Sequence, residues 1–359
     1  MGRGTFAQKN VGRTLARDVI RAFVSQGAHI DAIPHSGKYD GTVGVLGGLE
    51  AIRALKATGF RPRRSIELLL FTSEEPTRFG IGCLGSRLLA GVLDTDAADR
   101  FEDTEGKPLA EIREQAGFSG TLDTVKLPPG YYHGFVELHI EQGPLLERDR
   151  VQLGIVTSIA APSSFRLTIE GEGGHAGAVL MPQRRDAFLA AAEIALAVES
   201  AARATGAIDT VATCGVCEVF PGVINGIPSR VKLEFDIRDT DTQRRDAVVK
   251  ALEAACNRMR AKRGATIQMH TLNSDAPATC DPTLIDVLKR ACENEGCSYS
   301  LMVSRAYHDS LFLSRIAPVS MLFIPCNAGV SHRPDEYASP QDISNGVRVL
   351  ADALAQLSQ

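Results

Sequence analysis

The sequence predicts an α/β fold: a mostly parallel sheet interrupted by an inserted ferredoxin-like unit. Three observations carry this. In the first and last thirds, apolar strand-like runs alternate with segments of helical period. The middle third switches to the order strand, helix, strand, strand, helix, strand, which is the split βαββαβ arrangement. The length of 359 residues suits about two domains of roughly 150 residues each.

The elements follow in chain order. Residues 1–18 show no strand pattern, and an apolar run at 19–24 reads as a buried strand that breaks at Gly27. Val45, Leu46, Leu49, Ile52 and Leu55 recur at helical spacing, so 41–58 is a helix, stopped by Gly59 and Pro62. Residues 65–71 read as a continuous buried strand. Short helices are expected at 85–90 and 108–115, and the next strand at 135–140. The middle unit predicts a strand at 165–170, an alanine-rich helix at 185–202 and strands at 211–220 and 231–237. A helix at 244–261 and a strand at 265–271 complete it. The first pattern then resumes with a helix at 282–294, a strand at 319–325 and a helix at 340–356. The expected division is residues 1–160 with 276–359 as one domain, and 161–275 as the insertion.

Bulk properties exclude some functions. Apolar residues make up 44% and charged residues 23%, as in ordinary globular proteins. The net charge of −4 offers no basic footprint for nucleic acid. No apolar run approaches the roughly 20 residues of a membrane span, and no secretory signal is visible. The arginine-rich, acid-poor start resembles an organelle transit peptide only faintly. Cys214 and Cys217 form a CxxC, but inside a strand-like run, so they read as small buried thiols and not as a redox pair.

Chemistry gathers at the strand ends: His29, Asp40, Glu74, Glu75, His139 and His332. Sites in open α/β sheets form past the carboxyl ends of strands. Imidazoles and carboxylates suit zinc, manganese or similar divalent ions. These six residues are more than one ion needs, whereas a pair of ions roughly 3.5–4 Å apart, sharing a carboxylate, would use them. Neighbouring side chains such as Glu74 and Glu75 point different ways, so one can face metal and the other substrate. Singly, each residue has an ordinary explanation: a solvated loop for Glu74–Glu75, a glycine-turn cap for His175, an ion pair with Asp236 or Asp239 for Arg238.

Eight ordered motifs lift the chain above those readings: GAHIDAIPHSGKYDG, FTSEEPTRFG, ELHIEQGP, GGHAGAVLMPQRRDA, INGIPS, FDIRD, RAYHDS and SHRPDEY. From about Gly27 onward it resembles the bimetallic amidohydrolases related to aminoacylases and carboxypeptidases. The similar branch holds N-carbamoyl-amino-acid, allantoate and ureidoglycolate amidohydrolases. FTSEEPTRFG, HAGAVLMP and SRAYHDSLF look most like the plant ureidoglycolate-cleaving members. The resemblance implies one ion on His29 and His139, another on Glu75 and His332, and Asp40 bridging. Manganese is the implied metal, with zinc also admitted by the ligand types. Asp31 would orient the His29 ring, and Glu74 would carry a proton from water to the leaving nitrogen. The insertion would serve as lid and homodimer interface, its His175 reaching the partner's site to polarise the carbonyl. Asn225 and Arg238 would hold a small ureido acid, with Gln142, Tyr307 and His308 lining the pocket.

The implied reaction converts ureidoglycolate and water to glyoxylate, ammonia and carbon dioxide, a step of purine nitrogen recovery. Relatives that take allantoate or N-carbamoyl amino acids tend to carry glycine where this chain has Tyr307, and a tyrosine would shrink the pocket. Allantoate or N-carbamoyl-amino-acid hydrolysis is the alternative. An inactive dimeric scaffold is the other, against which Glu74 argues. Two departures stand out: Gly-Ala-His replaces the usual Gly-Ser-His, and only 28 residues precede His29. The expectation is a truncated start that leaves sheet edges unpaired. Plant members suggest the endoplasmic reticulum; no signal for it is visible, which leaves the cytoplasm as the other location.

Overall fold

The computed structural model describes residues 23–359. The large sheet begins with β1 (Phe23–His29), α1 (Thr42–Ala57), β2 (Ile66–Phe71) and α2 (Leu84–Leu89). Short helices α3 (Thr95–Asp99) and α4 (Leu109–Gln115) lead to β3 (Tyr132–Ile140), α5 (Leu145–Asp149) and β4 (Leu153–Ile159). A second sheet unit then holds β5 (Ala161–Glu170), β6 (Gly174–His175), α6 (Ala187–Ala204), β7 (Val211–Phe220) and β8 (Gly226–Ile227). It continues with β9 (Arg230–Asp239), α7 (Thr242–Arg263) and β10 (Thr266–Ser274). The chain returns through β11 (Ala278–Thr279), α8 (Pro282–Asn294), β12 (Tyr299–Ser304), α9 (Asp309–Leu313), β13 (Val319–Ile324) and α10 (Pro340–Leu357).

The large sheet runs β11-β4-β13-β3-β1-β2, with β12 also on β4. Pairs β1–β2, β1–β3, β3–β13 and β4–β12 are parallel, and the β4–β13 joint is antiparallel. The mainly parallel α/β expectation therefore holds. Side chains alternate between the faces of β3. Val136, Leu138 and Ile140 pack with α1, α8 and α10, while Phe135 packs with α9. Glu137 and His139 share the parity of Phe135, so both sit on the α9 side.

Several expectations need correction. The 19–24 strand lies largely outside the described residues, and the observed β1 runs straight through Gly27 to His29. Glycine there serves close packing: a Cβ would come 2.7 Å from Leu69 Cβ and 2.9 Å from its carbonyl oxygen. β2 is half-buried, with Leu70 exposed, because among the described residues it is an edge strand. β4, β12, α3 and α5 had no counterpart in the sequence reading; they are short or lack clear turn punctuation. Cys217 is exposed on β7 and Cys214 half-buried, so neither is the buried thiol expected, since among the described residues β7 is the edge of its sheet.

The second sheet is antiparallel in the order β10-β5-β9-β7. This is the strand order that βαββαβ connectivity produces. Helices α6 and α7 share one apolar core with it, built from residues such as Leu167, Ile194, Leu233 and Leu252. From Val231 onward the residues of β9 alternate between buried and half-buried, so one face meets the helices and the other faces a cleft toward the large sheet.

Candidate metal centre

The strand ends converge. His29 closes β1, His139 lies one residue from the end of β3, Glu74 and Glu75 follow β2, and His332 follows β13. Asp40 sits just ahead of α1, in the turn that Gly41 makes at φ +60°. The two oxygens of Asp40 face two different groups. Oδ1 lies 3.0 Å from His139 Nε2 and 3.4 Å from His29 Nε2. Oδ2 lies 3.3 Å from His332 Nε2, which is itself 3.4 Å from Glu75 Oε1. Among the described residues, His29–Asp40–His139 and Asp40–Glu75–His332 form two clusters whose ligand atoms lie within 4.8 Å of one another.

Electrostatics favour cations at this place. Burial works against charge on His29, yet Asp40 and Glu74 push the imidazole up to about 11. His139 is likewise raised against burial by Asp40, and His332 is raised first by its hydrogen bond to Asp40. Burial would raise Asp40, but the three imidazoles hold it far below the carboxylate range. Among the described residues, Glu75 Oε1 is buried without a hydrogen bond, the His332 ring 3.4 Å away being its ionic neighbour. Two sets of imidazole and carboxylate donors that share Asp40, with a buried Glu75 oxygen left without a hydrogen bond among the described residues, fit two divalent cations, which the imidazoles would bind in their neutral form.

Glu74 stands beside the clusters and outside both. Its Oε2 is 3.6 Å from His29 Nε2, and Oε1 accepts from the Cys83 thiol at 3.3 Å. Burial pushes its carboxyl up to about 8. Asp31 acts differently from expectation. Its backbone carbonyl, not its carboxylate, takes the His29 Nδ1 contact at 3.0 Å, and the carboxylate lies 3.7 Å away. The Asp31 carboxylate instead accepts the backbone N–H of Glu74 at 3.3 Å and of Glu75 at 3.0 Å. It clamps the turn that aims both glutamates.

The centre floors a cleft of about 770 Å³ between the two sheets, lined also by Gln142, Arg238, Tyr307 and His308. Gln142 donates to Asp40 Oδ2 at 2.6 Å. His308 is buried, set edge-on to His139 at 4.5 Å between ring centroids, and burial holds it well below its ordinary pKa. Arg238 lies over the Tyr307 ring at 5.7 Å. It also forms the expected ordinary ion pair: Asp236 takes its Nε at 2.7 Å and Nη2 at 3.0 Å. Nη1 makes only a long 3.4 Å contact to the Arg305 carbonyl, so one edge of the guanidinium still serves the cleft. His175 and Asn225 do not line this cleft; they sit exposed on and beside the small antiparallel β6–β8 ribbon, tied by the bond from Ala176 N–H to the Asn225 carbonyl.

Sequence reasoning missed a buried polar layer beneath the centre. Glu137 accepts from Ser310 N–H at 3.0 Å and its hydroxyl at 2.6 Å, and Asp309 accepts from the Ser86 hydroxyl at 2.5 Å. Among the described residues each acid keeps one buried oxygen without a hydrogen bond, and burial raises both carboxyls. Glu336 was missed too: its Oε1 accepts the backbone N–H of Tyr39 and Asp40. Strand parity with His139 was the signal for Glu137; adjacency to His308 and proximity to His332 were those for Asp309 and Glu336.

Comparison with known proteins agrees with this geometry. The sequence profile described as peptidase family M20/M25/M40 matches residues 26–356. A ureidoglycolate hydrolase of Arabidopsis thaliana is 52% identical over 342 residues, covering 93% of this chain and 72% of the relative. An N-carbamoyl-L-amino acid amidohydrolase of Geobacillus stearothermophilus is 38% identical over 354 residues, covering 97% and 85%. The crystal structure of AtUAH in complex with (S)-hydroxyglycine superposes with a TM-score of 0.85 at 50% identity, covering 94% of this chain and 82% of that one. With its sheet, its strand-end ligands and this similarity taken together, the chain belongs to peptidase family M20/M25/M40.

Proposed function

We propose that the protein hydrolyses the ureido C–N bond of ureidoglycolate, yielding glyoxylate, ammonia and carbon dioxide. The observation that carries the chemistry is Asp40, whose two oxygens each face a separate imidazole-containing cluster. The substrate rests on the half-identical ureidoglycolate hydrolase and on the related structure that holds (S)-hydroxyglycine. A ureido carbonyl is a weak electrophile. Two divalent ions, manganese in this reading, would be held by His29, His139, Glu75, His332 and Asp40 and would supply Lewis acidity.

The chain's own residues do the rest. Glu74 receives a proton from the attacking water at its carboxylate and returns it to the leaving nitrogen. It lies outside both ligand clusters yet within 3.6 Å of His29, close enough to exchange a proton with a water at the centre. Arg238 offers its open edge to the substrate carboxylate. Tyr307 narrows the floor, and Gln142 and His308 line it. Cleavage gives carbamate and hydroxyglycine, which break down to the final products.

His175 is exposed and outside its own cleft, so in this reading it serves the site of a second copy, with Asn225 beside it. Exposed Leu180, Met181, Val223 and Ile224 near the same ribbon support an interface there. The insertion is then lid and dimer interface together. A second reading, allantoate or an N-carbamoyl amino acid as substrate, is favoured by the 770 Å³ of the cleft, ample for a longer ureido acid.

The test is ammonia release from ureidoglycolate, allantoate and an N-carbamoyl-L-amino acid by manganese-loaded protein, with chelated protein alongside. Release from ureidoglycolate above the others, lost on chelation, is the expected result. Preference for a longer substrate would transfer the assignment to the second reading.

A further inference from the structure

The chain crosses between its two sheets twice, at Ala160 between β4 and β5 and at 275–277 between β10 and β11. The crossings are fastened side by side. Asp275 N–H donates to the Pro162 carbonyl at 3.2 Å, and the Ser163 and Ser274 hydroxyls meet at 3.2 Å. Arg87 of α2 grips the Asp275 carboxylate with both ends of its guanidinium, Nη1 to Oδ1 at 2.9 Å and Nη2 to Oδ2 at 2.6 Å. Arg245 of α7 donates to the Asp275 carbonyl from the other side.

This pair is unlike the chain's many surface pairs. Arg87 is 5% exposed and Asp275 9%. Arg87 Nε donates to the Gly82 carbonyl at 2.8 Å, and its guanidinium carbon stacks 4.0 Å from the Phe312 ring centre. Surface pairs hold little in place, whereas a desolvated bidentate pair has one geometry. The register then leads to the site: Pro162, bonded to Asp275, lies directly opposite Arg238 in the β5–β9 ladder. A short run of neighbours connects α2 to the cation above the metal centre: Arg87 bonds Asp275, Asp275 bonds Pro162, and Pro162 faces Arg238 across the ladder.

We infer that the buried Arg87–Asp275 pair is the pivot that fixes the second sheet unit on the first and so sets where Arg238 stands. Both are positioning residues. The inference rests on the proposed role of Arg238 as the substrate's carboxylate partner.

The experiment is a double-mutant cycle in the manganese-loaded, full-length protein with ureidoglycolate. Arg87→Lys and Asp275→Asn are each combined with Arg238→Ala. Each single pivot variant is expected to raise KM about tenfold, with kcat within about threefold and metal content unchanged. In the Arg238→Ala background neither should raise KM further. An unchanged KM, or rises that multiply with that of Arg238→Ala, would overturn the inference. Small-angle scattering gives a readout that needs no turnover: the pair-distance curve of Asp275→Asn should widen. A curve identical to that of the native protein also overturns the pivot. Native protein that fails on ureidoglycolate while Asp275→Asn still widens the curve would sink the substrate assignment and leave the pivot standing.

Discussion

Asp40 shows how much one carboxylate can organise. It draws three imidazoles toward charge and presents one oxygen to each cluster. Glu74 lies outside that ligand set, so its loss should affect chemistry and not metal. Glu74→Gln is expected to lower kcat by roughly 10²-fold or more with metal content intact. Persistent turnover in that variant would remove Glu74 from proton transfer. Asp31 belongs to the support instead. Without its carboxylate the amides of Glu74 and Glu75 lose their acceptor and the turn loosens. Asp31→Ala should weaken manganese affinity roughly 10- to 100-fold, measured by metal titration. Tyr307 fills the floor beneath Arg238 and faces Gly82. Replacing it by glycine should shift the preference toward allantoate; an unchanged ratio of kcat/KM values for the two substrates would end the steric argument.

At the scale of elements, the site depends on how closely α1 lies on the sheet. Gly44 packs against the Leu138 carbonyl, and its own carbonyl accepts from Gln26 Nε2 at 2.8 Å. This contact sits just past Asp40 and beside the strand that carries His139. Gly44→Leu should therefore destabilise the fold by roughly 1–3 kcal/mol through overpacking. Chemical denaturation would reveal it as a lower midpoint, and an unaltered midpoint would mean the helix can shift freely. Element types were widely legible from the chain, because α1, α8, α10 and β9 carry clear periods of 3.6 or 2. The edge position of β2 was not legible, since a run such as IELLLF reads the same in the middle of a sheet and at its rim.

At the scale of the molecule, the cleft exists only between the two sheets. The centre contributes Asp40 and its partners, and the second sheet contributes Arg238 from across the gap. The exposed β6–β8 ribbon of His175 belongs to neither wall, which leads to a test by mixing. Protein carrying His175→Ala and protein carrying Glu74→Gln should each be nearly inactive. Co-refolded in equal amounts, they should recover about a quarter of native activity, because half the dimers then hold one complete site. No recovery would mean that His175 does not act across subunits.

What the sequence by itself determined was local in origin. Helix and strand periods predicted the α/β order, and residues at strand ends, His29, Asp40, Glu74, Glu75, His139 and His332, announced a metal chemistry because strand ends are where such sheets place their sites. Periodicity could not say which of these share a cluster; the resemblance implied the grouping, and the tertiary structure brings the same two sets together with one oxygen of Asp40 facing each. Tertiary structure alone decided the buried layer of Glu137 and Asp309, the clamp of Asp31 on the β2 turn, and the grip of Arg87 on Asp275. Partners such as Glu137 and Ser310, or Arg87 and Asp275, lie far apart in the chain. Periodicity reports only a residue's own face, while the satisfaction of a buried charge depends on whatever the fold brings against it.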